Sequence, residues 1–356
     1  AEAAAATAAI QHPVQLEHLH EASGAPRWLL GNGLVRAELG SEGVRQLWGA
    51  DGSPRLAGPL QWCRWRDHGE FWDAWDIAAD YRDHPLPLEW QAMPEVAEVG
   101  PLCARLVWRG RCGASALRLD VQLRAASPWL ELNLRVDWRQ RHELLRLEIP
   151  LAQPAVRFAA DTTGGVLERP AMARTPREQA RWEVAAISWI AAQPQAGGSG
   201  LAVLMDGPQG ASVDPERLGV SLLRAPTWPD PGADNGLQRL RLALLPCDQG
   251  WRQQGVPQQA RGFREPIWCR PAASAGSAPA GRLLPPLTFG SEALELVAIE
   301  PVEGLKAVWV TLQNLSPQRQ RLLLSPGWRL LDGVEMFRPW QLVRLQLGLT
   351  ASDQSS

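Results

Sequence analysis

ALRLDVQLRAASPWLELNLRVDW, residues 116–138, decides the class of fold. Leu117, Leu119, Val121 and Leu123 alternate with Arg118, Asp120, Gln122 and Arg124. After the turn-forming AASPW, the run 130–138 repeats the pattern with Leu130, Leu132, Leu134, Val136 and Trp138. A side-chain period of two puts one set on each face of a strand. Two such runs across a short turn predict an antiparallel hairpin with one dry face and one wet face. LLRLEIPL (144–151), LQRLRLALL (237–245) and QLVRLQLGL (341–349) extend the pattern along the chain. Helical periodicity is nearly absent after residue 25, apart from a turn expected near PREQARWE (176–183). The 32 glycines and 30 prolines suit many strands joined by turns. The expectation is an all-β chain.

The boundaries follow from composition. Residues 1–24, Ala-rich and then polar, read as a linker or the end of a helical segment of a longer protein. Residues 25–268 read as one large β domain. The small, Pro-rich CRPAASAGSAPAGRLLPP (269–286) reads as a linker or long loop. Residues 287–350 read as a small β-sandwich, and 351–356 as a fraying tail. With 356 residues, 45% hydrophobic and 21% charged, the chain can bury a sizeable core. A net charge of −2 argues against nucleic-acid partners and anionic membranes. Lys306 is the only lysine. No apolar run approaches the roughly 20 residues of a spanning helix. Cys63, Cys103, Cys112, Cys247 and Cys269 fit no metal spacing and read as scattered thiols, with Cys103–Cys112 pairing as the alternative. Thiols of that kind, with no signal-peptide pattern at the start, suggest a cytoplasmic setting.

Chemistry concentrates in two places. DHGEFWDAWDI (67–77) interleaves Asp67, Glu70, Asp73 and Asp76 with Phe71, Trp72 and Trp75. Acids beside indoles can grip a sugar or act as an acid/base pair; equally, the indoles can pack inward while the acids face water. LLRAPTWPDPGADNG (222–236) sets Arg224, Asp230 and Asp234 on a loop stiffened by Pro226, Pro229 and Pro231. Either the acids latch Arg224 with no ligand, or the rigid loop presents it to a cleft. No nucleophile elbow, phosphate-binding glycine loop or H-E-x-x-H motif is present. The spacing of His18 and His20 puts both rings on one side of a strand, as a metal pair needs, but the two read as a polar surface pair. With 18 of the 24 aromatics tryptophan (5 Phe, 1 Tyr), composition tilts slightly toward sugar.

In order along the chain, five stretches resemble the C-terminal half of the family 38 glycoside hydrolases, the retaining α-mannosidases. They are GNGLVRAELGSEGVRQLW (31–48), WDAWDI (72–77), GGVLERP with ARWEVAAISWI (164–170, 180–190), the 222–236 loop, and LELVAIEPVEGLKAVWVTLQNLS (294–316). The resemblance implies a galactose-mutarotase-like super-sandwich followed by a small terminal β-sandwich. It implies a parent that hydrolyses α-mannosides, with zinc and the nucleophilic Asp on an N-terminal catalytic domain that nothing here matches. This chain would then carry no catalytic residue and no metal ligand, and would be inactive alone. Its partners would be that catalytic domain and an α-mannoside, with a homo-oligomer left open. Arg224 would lie at the sugar pocket, with Asp230 and Asp234 orienting it and Asp73, Trp75 and Asp76 supporting the pocket. On that reading Arg224→Ala slows cleavage in the full-length enzyme and leaves melting little changed. Gln238 and Cys247 stand where the family usually has His. Two other functions compete. One is a binding module using Trp72 and Trp75 as platforms. The other is an aldose epimerase using His68 with Glu70, or His142 with Glu143.

Overall fold

A computed structural model describes residues 10–19, 26–69, 73–91, 93–195, 198–265, 285–303 and 306–350. The 116–138 run folds as the hairpin that its pattern predicts. Strand Ser115–Arg124 pairs antiparallel with Leu130–Trp138, placing Leu119 opposite Leu134 and Val121 opposite Leu132. All nine apolar residues of the two runs are buried. The second face differs from expectation. Asp120, Gln122 and Glu131 are also buried, so the supposed wet face is largely covered. Their polarity is answered locally: Arg118 grips Asp120 through two 2.8 Å hydrogen bonds, and Gln122 donates to Glu131 across the pair at 2.5 Å.

This hairpin sits inside a ten-stranded sheet. Its spine runs Arg157–Thr162, Trp189–Gln193, Gly200–Asp206, Gly236–Cys247, Leu130–Trp138, Ser115–Arg124, Cys103–Cys112. A six-stranded sheet runs Val184–Ala185, Gly210–Val213, Arg217–Leu223, Glu143–Pro150, Gln61–Arg66, Pro85–Leu86. A third sheet holds Gln15–Leu19, Arg27–Gly31, Arg36–Gly40 and Gly43–Trp48. One apolar cluster draws side chains from all three, among them Leu30, Leu47, Leu119, Leu134, Leu147 and Val220. The chain is therefore all-β, as the pattern predicts, and its large unit is built of packed sheets, as the resemblance implies.

Several local expectations need correction. Residues 15–19 belong to no linker or helix end; they form a strand against Arg27–Gly31, with His18 opposite Trp28. LLRLEIPL does not divide into one dry and one wet face: Leu144 through Ile149 are all buried, Arg146 and Glu148 included. The helical turn expected near 176–183 is present as Pro176–Gln179, capped by Thr175 and Glu178. Helix Val256–Arg264 has no forerunner in the sequence pattern. Only Val256, Ala260 and Phe263 are buried, a stripe too short to stand out by periodicity. Cys103 and Cys112 stand at opposite ends of one strand and are free thiols, so the pairing alternative fails. Burial raises the Cys247 thiol to about 12 and the Cys112 thiol to about 11. Cys269 and His20 lie outside the described residues, as do 266–284 and 351–356.

The buried arginine is held by converging oxygens. Arg146 Nε donates to Glu148 at 2.8 Å and Nη1 to Ser221 at 2.7 Å, with Glu183 and Ser212 completing the set. The guanidinium lies flat against Gly219, where an added Cβ would stand 2.7 Å from its Cζ. Only glycine permits that approach.

At the far end of the first sheet, buried Asn32 staples two turns. Its amide donates to Arg124 O at 2.9 Å and Ser127 O at 2.8 Å, while its oxygen accepts from Leu34 and Val35 at 3.0 Å. Alanine there strands buried carbonyl and N–H groups. Asn32→Ala is expected to lower unfolding free energy by about 2–3 kcal/mol, measured by urea titration. A loss under about 0.5 kcal/mol would show that water replaces the staple.

The chain folds as two compact units, residues 1–162 with 167–264, and 163–166 with 265–356. In the second, Leu294–Pro301, Ala307–Asn314, Leu342–Leu349 and Trp328–Asp332 make a four-stranded sheet. Gln320–Arg321 pairs with Met336–Phe337, and the core contains Val310, Leu312, Phe337 and Leu345. Among the described residues no helix is long and apolar enough to cross a membrane.

Candidate functional site

Three adjacent strands of the six-stranded sheet deliver the site. Arg217–Leu223 ends at Arg224, Gln61–Arg66 ends at Asp67, and Glu143–Pro150 between them begins just after His142. Backbone hydrogen bonds fix the ends in line: Asp67 N–H donates to His142 O, His142 N–H to Ala225 O, and Glu143 N–H to Arg224 O. Residues 157 positions apart thus become neighbours.

Arg224 joins two loops. Its Nε donates to Asp67 at 2.6 Å, Nη2 to Asp76 O at 2.5 Å, and Nη1 to Ala74 O at 3.5 Å. The side chain is 16% exposed while that of Asp67 is 2% exposed, so the pair is sealed from the Asp67 side. Asp67 also accepts from Ala78 N–H at 2.8 Å. Beneath the 73–81 loop, Ile77, Ala78 and Tyr81 pack with Trp65 and Leu144 as a small apolar cluster. Ordinary burial thereby anchors the loop, and Arg224 ties its polar backbone.

The expected partners of Arg224 take other work. Asp230 accepts from Gly232 N–H at 2.8 Å and closes its own turn. Asp234 accepts from the backbone N–H groups of Arg224 and Ala225, at 2.7 and 2.9 Å. It orients the loop backbone, and it supports Ala225 at φ 48°, a left-handed conformation that alanine adopts only at a cost. Neither acid reaches the guanidinium; Asp67 does. Gln238 donates to Asp234 O at 2.9 Å and braces the same turn.

Asp73 is the second anchor. One carboxylate oxygen accepts from Thr227 and Trp228 N–H at 2.7 and 2.8 Å; the other lies 3.1 Å from His142 Nδ1. His142 Nε2 lies 3.0 Å from Thr227 Oγ1. Burial pushes the Asp73 carboxyl upward, but the two N–H donors and His142 outweigh it and hold the group below its ordinary value. Asp76 accepts from Ile77 N–H at 2.9 Å and from the Trp182 indole at 3.3 Å.

Above this network stand Trp75 and Trp228, 66% and 61% exposed, meeting edge to face at 6.4 Å. The structure thus gathers Arg224, Asp73, Trp75 and Asp76, with Asp234 behind them and Asp230 at the loop's outer turn. Asp67, His142 and Thr227 join them, a grouping that the sequence does not suggest. Asp67 follows the strand Gln61–Arg66, and nothing local in the sequence marks Arg224 as its partner. The epimerase pair His142–Glu143 is divided, since Glu143 binds Arg64 at 2.7 Å while His142 serves Asp73. Glu70, Phe71 and Trp72 lie outside the described residues.

Comparison with known proteins bears on this rim. The model of the Glycosyl hydrolases family 38 C-terminal domain matches residues 30–232. Human alpha-mannosidase 2C1 is 29% identical over 302 residues, covering 83% of this chain and 28% of that protein. Mouse alpha-mannosidase 2C1 is 31% identical over 250 residues, covering 68% of this chain and 24% of that protein. This chain therefore spans about a quarter of the length of these curated relatives. The crystal structure of an alpha-mannosidase from Enterococcus faecalis V583 shares the fold, with a TM-score of 0.71 at 12% identity over 94% of this chain and 48% of that one. The match takes in both loops joined by Arg224, and the chain belongs to the C-terminal domain family of the family 38 glycosyl hydrolases.

Proposed function

We propose that this chain is the C-terminal β region of a retaining α-mannosidase, and that its Arg224 rim completes the sugar pocket and docks the catalytic part. The observation that carries the reading is the pairing of a rigid base with an exposed top. Asp67, Asp73 and Asp234 fix two loops, and those loops hold Trp75 and Trp228 out in solvent. Exposed indoles on a braced scaffold are a common form of binding surface. Arg224 spends some of its N–H donors on the loops and keeps an exposed edge, from which it can approach a hydroxyl or a neighbouring carboxylate.

Among the described residues no group of three His, Cys, Asp or Glu converges as metal ligands. Zinc and the attacking carboxylate are assigned to the rest of the enzyme. The relatives' names support an α-mannoside as substrate, and a homo-oligomer is compatible with the proposal. A cytoplasmic location also belongs to it, resting on the free buried thiols.

Hydroxyl-radical footprinting tests the docking. Oxidation of Trp75 and Trp228 is expected to fall at least about threefold in the full-length enzyme relative to this chain, because core indoles of an interface lose their water. Equal oxidation in the two would remove the proposed contact.

A further inference from the structure

The Trp182–Asp76 hydrogen bond leads from the rim to a separate cavity of about 450 Å³. Its walls include Tyr81, Phe158, Met172 and Trp182, with Arg169 and Arg181 among the polar lining. That volume suits a small organic molecule, and the aromatic walls suit the CH faces of a sugar ring.

The charges decide the ligand class. Every carboxylate on the wall is already engaged. Glu183 accepts from Arg146 and Ser221. Glu178 accepts from the N–H groups of Arg174 and Thr175 at 2.8 and 3.0 Å. Asp214 accepts from those of Glu216 and Arg217 at 2.8 and 2.9 Å. Arg82, on the same wall, donates to Glu148 at 3.0 Å. Arg169 and Arg181 differ: neither guanidinium has a hydrogen bond or ion pair with any described residue. Arg169 is half-buried, and burial followed by the Arg181 charge pushes its guanidinium below the usual range. Arg169 and the exposed Arg181 thus bring two cations to one cavity whose carboxylates Glu178, Glu183 and Asp214 are held by other donors.

We propose that this cavity binds a phosphorylated monosaccharide, with Arg169 and Arg181 clamping the phosphoryl group and Trp182 lying against the sugar. A phosphomonoester carries about −1.5 to −2 charges at pH 7, which matches two open guanidiniums better than a carboxylate does. Inorganic phosphate would leave most of the 450 Å³ and its aromatic wall unused. The site is distinct from the Arg224 rim and does not depend on the mannosidase reading.

Titration calorimetry of the 356-residue chain at low salt tests this with mannose 6-phosphate, glucose 6-phosphate, the two free sugars and inorganic phosphate. At least one sugar phosphate is expected to bind with Kd below about 1 mM. Free sugars and inorganic phosphate should bind at least roughly tenfold more weakly. Arg169→Gln and Arg181→Gln should each weaken the sugar phosphate by about tenfold or more. Melting should change little in both variants, since neither guanidinium holds a partner among the described residues. No binding of either sugar phosphate would overturn the proposal. So would affinity unchanged by both substitutions, or inorganic phosphate binding as tightly as the sugar phosphate.

Discussion

Arg146→Met is expected to destabilise the large β unit by about 3 kcal/mol or more in urea unfolding. Arg146 is fully buried on the central strand of the six-stranded sheet, and Glu148 beside it is 2% exposed. Removing the cation leaves Glu148 and Glu183 facing a low-dielectric interior with less compensation. Arg82 still donates to Glu148 and Ser221 to Glu183, which places the effect at the lower end of the range for a broken buried pair. The pair's net worth is smaller than this loss, because burying both ions was itself costly. Arg146→Met with Glu148→Leu should therefore recover part of the stability lost in Arg146→Met. A double variant no better than the single would show that lost packing against Gly219, rather than stranded charge, causes most of the destabilisation.

Arg224→Ala carries the second large effect, in two readouts. In the full-length enzyme, kcat/KM for an α-mannoside should fall by about 10²-fold, the scale set by loosening a pocket edge by an ångström. Stability should also fall, by about 2 kcal/mol, because Asp67 keeps only the Ala78 N–H and is sealed from water. The sequence-level expectation of little change in melting does not survive this geometry. Asp230 and Asp234, the partners that the sequence suggests, bind backbone N–H groups, and the guanidinium instead meets the buried Asp67. Unaltered kinetics with lowered stability would reduce Arg224 to a latch between two loops.

How much was legible follows from the range of each interaction. The hairpin at 116–138 was readable because its pattern is local and repeats every second residue. The loop at 222–236 was recognisable as constrained, since proline acts on its own backbone. Who binds Arg224 was not readable: Asp67 lies 157 residues away, and only the strand order brings the two together. The same holds for Arg146, whose alternation with leucines gave no sign that Ser221 of the adjacent strand, Ser212 of the next one and Glu183 outside the strands converge on it. Arg118, Asp120, Gln122 and Glu131 mislead for a related reason, because a polar residue on a strand can be covered when its partners are built in. The helix at Val256–Arg264 escaped notice because nine residues give a stripe of only three buried positions.

Arg224→Lys in the full-length enzyme is the most direct test of whether the rim serves the pocket. Lysine keeps a charge for Asp67 but, as a point donor, cannot also span the carbonyls of Ala74 and Asp76. Steady-state α-mannoside hydrolysis should show kcat/KM lowered at least about tenfold, while unfolding free energy changes by no more than about 1 kcal/mol. Wild-type kcat/KM in that variant would contradict a role for Arg224 at the sugar pocket.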